Sequence, residues 1–183
     1  TATTRATITA GMKANAAEIR EAVRTLQGNN AKYITETIDP SDGFNTSPVP
    51  SCYVGIISED TLYDLEDDND WVPYEEYAQA GRRLGDFEEG KIGRVRFMNA
   101  GSNAKTFSST VTVHATMIIG REFYGISRIV GEEMSLIVKS SKDDTSDTSN
   151  PLNLRSTAGW KITFVAVILN QNFGVRIEHA VSS

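Results

Sequence analysis

The sequence predicts an α+β protein with one early helix and a mainly antiparallel sheet. Three observations support this class. A stretch near residue 12 has helical apolar spacing, several later stretches alternate apolar and polar residues, and little helical pattern follows them. With 183 residues and 39% hydrophobic content, the chain is long enough to bury one core.

The first predicted element is an amphipathic helix. Thr9 is a suitable N-cap, and Gly28 followed by Asn29 indicates the end. Such a helix would be about 28 Å long. Its apolar positions recur at spacings of four and three: Met12, Ala16, Ile19, Val23 and Leu26.

A proline-rich loop and a second group of short elements follow. Residues 39–50 carry three of the five prolines and indicate a loop at a lobe boundary. "CYVGII" predicts a short buried strand. Ser58 is suited to cap a short helix whose Leu62 and Leu65 face inward.

The middle of the chain predicts three strands. In "GRVRFMN", Val95 and Phe97 share one face, and Arg94 and Arg96 share the other. "STVTVHATMIIG" alternates in the same way, and "MSLIVKS" is another short strand. The polar residues 141–150 predict a mobile loop.

The C-terminal part predicts a hairpin. "WKITFVAVIL" is apolar on both faces after Phe164, which is typical of a buried central strand. Residues 170–172 are suited to a turn, and "FGVRIEHAV" is then expected to return as the hairpin partner.

Composition excludes several classes of protein. The net charge of −6 disfavours general nucleic-acid binding, although local basic stretches remain. Cys52 has no second cysteine to pair with, and we expect it to be a buried thiol. Residues 1–10 do not resemble a signal peptide, and no apolar run is long enough to cross a membrane.

Residues 85–92, "GDFEEGKI", nearly match a phosphate-binding loop. Ile92 stands where a Mg²⁺-binding hydroxyl is needed, and the acidic residues would repel a triphosphate. No apolar strand precedes Gly85 and no helix pattern follows Lys91. We expect the glycines to shape a turn that leads into a strand.

The stretch 64–75 has carboxylates at calcium-loop spacing. A divalent-cation site would use Asp64, Asp68, Asp70 and Glu75, but Asn69 replaces the turning glycine and Pro73 interrupts the next helix. Residues 59–70 contain seven acids and no base, which favours a solvated acidic face. We expect no metal and no cofactor.

The histidines do not form a recognisable catalytic or metal set. His114 and His179 lie far apart in sequence, and one cysteine does not complete a ligand group with them. A Ser–His–Asp arrangement stays open, because its members can be distant in sequence. No serine lies in a nucleophile-elbow pattern. We therefore interpret both histidines as structural or exposed. We also expect that the protein is not an enzyme.

Opposite charges lie close together along the chain. The acidic segment 59–70 is followed by basic residues within 82–96, and the two could pair internally or between copies. We hypothesise that they orient neighbouring subunits. The candidate contact residues are Glu59, Asp64, Asp67, Arg82, Arg83, Arg94 and Arg96.

The order of these elements resembles the C-terminal part of tailed-phage major capsid proteins, in the branch typified by coliphage N-four. The resemblance spans nearly the whole chain. Its more specific stretches are "GKIGRVRF" and "PLNLRSTAGWK", and others are "YVGIISEDTLYDLEDDNDWVPYEEYA" and "MIIGREFYGI".

The resemblance implies a Hong Kong 97-like coat fold. Residues 1–50 would hold the long spine helix and linker of a peripheral lobe. Residues 51–159 would form an axial lobe with attached sheet, and 160–183 a hairpin that returns to the peripheral lobe. The chain departs from the family where Ser58-Glu59 replaces a frequent His-Pro, and we expect the family's N-terminal arm and extended loop to be absent from these residues.

The implied function is structural. Copies would assemble as pentamers and hexamers of an icosahedral shell, with other virion proteins, around DNA that is enclosed without sequence-specific recognition. The location would be the virion capsid, and the host cytoplasm during assembly, with no membrane contact. Two alternatives are a cellular nanocompartment shell of the same fold and a divalent-cation-dependent binding module.

Overall fold

The computed structural model describes residues 4–36, 50–77, 84–128, 134–140, 152 and 154–182. These residues form a mixed α+β structure with mostly antiparallel strand pairs, as predicted. The helices are α1 (Ala16–Gly28), α2 (Glu59–Glu66) and α3 (Tyr74–Tyr77). The strands are β1 (Tyr53–Ile57), β2 (Trp71–Pro73), β3 (Glu88–Ile92), β4 (Val95–Asn99), β5 (Thr106–Phe107), β6 (Val113–Ile119), β7 (Tyr124–Arg128), β8 (Ser135–Lys139), β9 (Thr157–Lys161), β10 (Phe164–Ile168) and β11 (Gly174–His179).

The chain divides into two compact units. The first comprises residues 1–123 and 169–183, and the second comprises residues 124–168. We call the second unit the strand insert. The lobe boundaries implied by the family resemblance, at 50/51 and 159/160, stay a prediction.

A seven-stranded sheet organises the first unit. Its order is β11-β6-β1-β4-β3-β2, and β5 also pairs with β6. Strand β1 pairs in parallel with β4 and antiparallel with β6, so its backbone is bonded on both sides. Both of its neighbours bury side chains, and Tyr53 and Ile57 of β1 are fully buried. The predicted strands at "CYVGII", "GRVRFMN" and "STVTVHATMIIG" are confirmed.

Helix α1 is shorter than the predicted helix. It has 13 residues, or about 20 Å, and its N-cap is Asn15, whose side chain accepts a hydrogen bond from the Glu18 N–H at 3.0 Å. Thr9 therefore does not cap the helix, and Met12 is 39% exposed. The predicted stop is confirmed, because Gly28 ends the helix and Asn30 takes a left-handed φ of 58°.

The core of the first unit lies between α1, α2 and the seven-stranded sheet. Ile19 and Leu26 of α1 pack in one cluster with residues of β1, β4 and β6 and with Leu65 of α2. Ser58 caps α2 by accepting from Thr61 N–H, and Leu65 faces inward, as predicted. Burying one Leu or Ile side chain stabilises a fold by about 1.5–3 kcal/mol.

Arg96, one of the candidate contact residues, is buried. Its side chain is 2% exposed and forms a bidentate pair with Glu88, with Nε–Oε1 2.6 Å and Nη2–Oε2 2.7 Å. Tyr77 Oη and Leu84 N also donate to this carboxylate, at 2.8 and 2.7 Å. Burial, followed by the bond to Glu88, raises the pKa of Tyr77. The alternation of "GRVRFMN" places Arg94 and Arg96 on one face, but it does not reveal that Arg96 is buried, because its partner Glu88 lies on another strand.

The predicted C-terminal hairpin is also wrong. Strand β10 pairs with β7, whereas β11 pairs antiparallel with β6. A short 3₁₀ turn at Gln171–Phe173, capped by the Asn170 side chain, lies between β10 and β11. Phe173 O accepts from Gly120 N at 2.8 Å, which anchors the chain at the end of β6.

Strand β10 is not a buried central strand. All five of its residues are exposed, and Phe164 is 59% exposed. Apolar residues on both faces predict burial, but in this chain they lie in a two-stranded sheet and stay exposed.

We predict that Arg96→Met lowers the free energy of unfolding by about 3–5 kcal/mol, because it leaves the buried Glu88 carboxylate without its cation. Urea unfolding measures the loss. The matched control is Arg94→Met, whose side chain is exposed, and it should change stability by less than about 1 kcal/mol. Equal effects of the two substitutions would contradict the structural role of the pair.

Candidate functional site

The acidic segment 59–70 is split between solvent and the protein interior. Glu59, Glu66 and Asp67 are exposed, whereas three other carboxylates contact residues near α1 or the C-terminus. The predicted solvated acidic face therefore describes only part of the segment.

Asp64 holds the C-terminal segment and the chain before α1. Its Oδ2 accepts from Ser182 N at 2.8 Å, and its Oδ1 pairs with Lys13 Nζ at 3.3 Å. Burial opposes ionisation of Asp64, but the hydrogen bonds from Ser182 and Lys13 outweigh it and lower the pKa. Asp64 is thus occupied within its own chain, which removes it from the exposed charges that could meet another subunit.

Asp68 and Asp70 fix the beginning of α1. The Asp68 carboxylate accepts from Ala16 N at 2.9 Å, in the first turn, where a negative charge is favourable. This bond is the main cause of the lowered pKa of Asp68. Asp70 forms an ion pair with Arg20, which lies on α1.

The carboxylates at calcium-loop spacing do not converge in the structure. Asp64, Asp68 and Asp70 bond to different partners, and Glu75 lies exposed on α3. Across the part of the chain that the structure describes, no group of three or more His, Cys, Asp or Glu side chains is arranged to hold a metal ion.

The basic candidates separate as well. Arg94 is exposed, and its Nη1 donates to Tyr33 Oη at 2.7 Å. Arg96 is buried against Glu88 and is not available for a subunit contact. Arg82 and Arg83 lie outside the described residues, as does the predicted loop 141–150.

The near-match to a phosphate-binding loop forms part of a sheet. Gly85 lies in the turn region before β3, as predicted, whereas Gly90 lies within β3 and does not shape a turn. A Cβ added at Gly90 would clash with the ring of Trp71. Close packing against Trp71 therefore explains the glycine at this position.

Both histidines are buried and lie opposite each other on β6 and β11. His114 Nδ1 lies 2.9 Å from Ser58 Oγ, and its Nε2 lies 3.8 Å from Asp60 Oδ2. A serine, a histidine and an aspartate thus lie next to one another in space. However, Ser58 Oγ is buried, and it also bonds to Thr61 as the cap of α2. The arrangement serves helix capping.

His179 closes the same polar cluster. Its Nε2 lies 2.9 Å from Thr116 Oγ1, and its Nδ1 lies 2.9 Å from Ala180 O. Since a carbonyl only accepts, Nδ1 carries the proton, and Nε2 of the neutral ring accepts from the threonine. Burial lowers the pKa of His179, and nearby His114 adds to this effect.

Among the described residues, most of the exposed large apolar side chains lie on the strand insert. Its described residues form two two-stranded sheets, β10-β7 and β8-β9. Large apolar side chains remain exposed on both, which sequence reasoning missed because it assigned β10 to the core. These include Ile126 57%, Leu136 71%, Val138 61%, Trp160 69%, Phe164 59% and Val167 53%.

Exposed apolar side chains gathered on paired strands are typical of a binding interface. An isolated two-stranded sheet is marginally stable in water, and a third strand or a covering layer stabilises it. The geometry therefore favours contact with another polypeptide at the strand insert. Within the described residues, no helix has the length and apolarity needed to cross a membrane.

Solved phage capsids share this fold. The capsid of Ralstonia phage GP4 matches with a TM-score of 0.62 and 16% identity, over 100% of this chain and 51% of that chain. The head of Helicobacter pylori bacteriophage KHP40 matches with a TM-score of 0.57 and 13% identity, over 93% and 59%. The acidic stable capsid of Helicobacter pylori bacteriophage KHP30 matches with a TM-score of 0.54 and 14% identity, over 92% and 59%.

The chain thus spans between 51% and 59% of the length of these capsid chains. No family model matches the chain, and no curated protein sequence matches it. The predicted resemblance to phage capsid proteins is confirmed at the level of the fold, and the N-four branch stays a prediction.

We predict that acidification destabilises the fold through His179. The ordinary pKa of 6.5 applies to the unfolded chain and the folded pKa is lower, so the unfolded chain takes up the proton first. Stability is then complete above about pH 6.5 and declines as the pH falls toward the folded pKa. Urea unfolding at pH 7.5 and 5.5 should show a larger decline for the wild type than for His179→Gln. An equal decline would exclude His179 as the cause.

Proposed function

We propose that this chain is part of a coat-protein subunit whose copies assemble into a closed shell around phage DNA. The observation that carries the proposal is the exposed apolar surface of the strand insert, in a chain that has the fold of phage capsids. A monomer in solution would leave this surface in water, whereas contact between copies would cover it.

The proposed contact is head-to-tail. A closed ring forms when one surface of each copy meets a different surface of the next copy, and further contacts between rings give a shell. We propose pentamers and hexamers of an icosahedral shell as the form of this assembly. In that architecture α1 belongs to the spine helix, and the lobes follow the boundaries implied by the family resemblance.

The surface charge is compatible with enclosing DNA. A net charge of −6 gives the chain little attraction for a polyanion, so the packaged DNA would not adhere strongly to this part of the wall. We propose that the DNA is held by enclosure, without recognition of its sequence. The subunit would then be in the host cytoplasm during assembly and in the virion afterwards.

The hypothesis that charges orient neighbouring subunits keeps fewer residues than the sequence suggested. Glu59, Asp67 and Arg94 are exposed and stay candidates for contacts between copies, and so do Arg82 and Arg83, which lie outside the described residues. Such exposed pairs each contribute little to affinity, but complementary charges affect orientation and suppress wrong docking.

Expression of the intact gene product tests the proposed function. Electron microscopy and sedimentation velocity should show shells, rings or tubes, whose formation depends on protein concentration. A product that stays monomeric across the accessible concentrations would contradict the proposal. Nucleic acid within particles from infected cells would separate a virion from a protein-filled nanocompartment of the same fold.

We predict that the double variant Leu136→Ser, Trp160→Ser raises the concentration needed for assembly at least about tenfold, because truncating buried aromatic and aliphatic anchors commonly costs more than about 1 kcal/mol each. These residues lie opposite each other on β8 and β9. Sedimentation velocity measures the change.

The matched control is Phe87→Ser, because Phe87 is 66% exposed but lies outside the strand insert. It should assemble at the wild-type concentration. Unchanged assembly of the double variant would contradict a role for the strand insert, provided that circular dichroism shows both variants folded.

A further inference from the structure

The last described residues of the chain are attached to the rest of the first unit at three points. Ala180 N donates to Met12 O at 2.8 Å, and Ser182 N donates to Asp64 Oδ2 at 2.8 Å. The side chain of His179 supplies the third attachment, on the β6 side. We call the residues from His179 to Ser182 the C-terminal segment. This segment therefore connects β6, α2 and the residues that precede α1.

His179 is attached through both nitrogens of a neutral ring. Its Nδ1–H donates to Ala180 O, and its Nε2 accepts from Thr116 Oγ1, each at 2.9 Å. The residue is buried, with 2% of its surface exposed. A second proton would have to bind at Nε2. It would turn this acceptor into a donor and would place a full charge in the protein interior.

The surroundings of His179 do not compensate such a charge. His114 lies directly opposite it on β6, and His114 Nε2 is 3.8 Å from the exposed carboxylate of Asp60. Among the residues that the structure describes, His179 forms no ion pair of this kind. Asp64 favours the charged form of His179 electrostatically, but its oxygens already accept from Ser182.

A solvent-open groove of about 830 Å³ between α1 and β11 brings water close to this cluster, since His179 is part of its lining. Of the charged side chains in the described part of the chain, only His114 and Asp64 affect the ionisation of His179. The groove itself is lined by charges of both signs, namely Arg5, Lys13, Glu18, Glu21, Arg176 and Glu178. Protons can therefore reach the ring from solvent without a large rearrangement.

Little apolar burial opposes separation of the C-terminal segment. Its Ala180 packs in a small cluster with Ile8 and Val113, apart from the main core that joins α1, α2 and the sheet. Segments near a chain end that bury few apolar contacts open at a low free energy, without unfolding of the core. Loss of the His179 attachment is therefore expected to act locally.

We propose that the His114–His179 pair is an acid-sensitive attachment: protonation of His179 separates the C-terminal segment from β6 and frees the residues that precede α1. The added charge lies opposite His114, and protonation of both rings would make them repel each other. Because burial favours the neutral ring, the attachment is complete above about pH 6.5 and is lost as the pH falls below this value. The device acts within one chain and does not depend on the proposed assembly.

Hydrogen exchange measured by mass spectrometry on the 183-residue chain at pH 7.5 and 5.0 tests the release. After correction for the intrinsic pH dependence of exchange, residues 8–13 and 176–182 should lose protection at pH 5.0 by a factor of up to about 30, because the open segment binds the proton with a pKa near 6.5. Residues 53–57 and 95–99 should keep their protection. Unchanged protection of the C-terminal segment, or an equal loss in all four regions, would overturn the inference.

A variant separates the histidine from other effects of acid. His179→Gln retains one donor and one acceptor but has no titrating group, so exchange in the C-terminal segment should become independent of pH. The control Glu66→Gln alters an exposed carboxylate on α2 and should keep the wild-type pH dependence. A pH dependence that persists in His179→Gln would overturn the assignment to this ring.

NMR titration of the histidine rings tests the pair even if His179→Gln does not fold. In the wild type the pKa of His179 should lie below 6.5, because the ring is buried and faces His114. His114→Gln should raise the pKa of His179, because it removes the opposing ring. An ordinary pKa of His179 in the wild type, or an unchanged one in His114→Gln, would overturn the role of the pair.

Discussion

The exposed apolar side chains of the strand insert are the main physical constraint on this protein. Two-stranded sheets cannot cover both of their own faces, and here those faces carry large aliphatic and aromatic residues. In the described residues of the first unit, by contrast, α1, α2 and the sheet bury apolar side chains in a common core, and Arg96 pairs with Glu88. The difference separates the part of the chain that is stabilised by its own core from the part that the proposed association would cover.

More charged side chains form contacts within the chain than the sequence pattern suggests. Three carboxylates of an acidic stretch hold α1 and the C-terminal segment, and Glu88 holds Arg96 inside the sheet. Because these charges fix the fold, they are not available to orient other copies. Apolar contact is therefore expected to dominate the affinity between subunits, while the remaining exposed charges affect orientation.

Local patterns predicted the elements whose cause is local. The cap at Ser58, the end of α1 at Gly28 and the strands at 53–57 and 113–119 follow from neighbouring residues. The buried state of Arg96 depends on Glu88, which lies on another strand. The exposure of β10 depends on whether another part of the protein packs against its sheet, and the apolar composition of the strand does not specify this.

Hydroxyl-radical footprinting of the intact gene product before and after assembly tests whether other copies cover the strand insert. The measured quantity is the oxidation rate of Trp160 and Phe164, compared with that of Phe87 in the same sample. If copies cover the strand insert, the first two rates fall several-fold on assembly and the third does not. Equal rates of oxidation at Trp160 and Phe164 in free and assembled protein would contradict the claim.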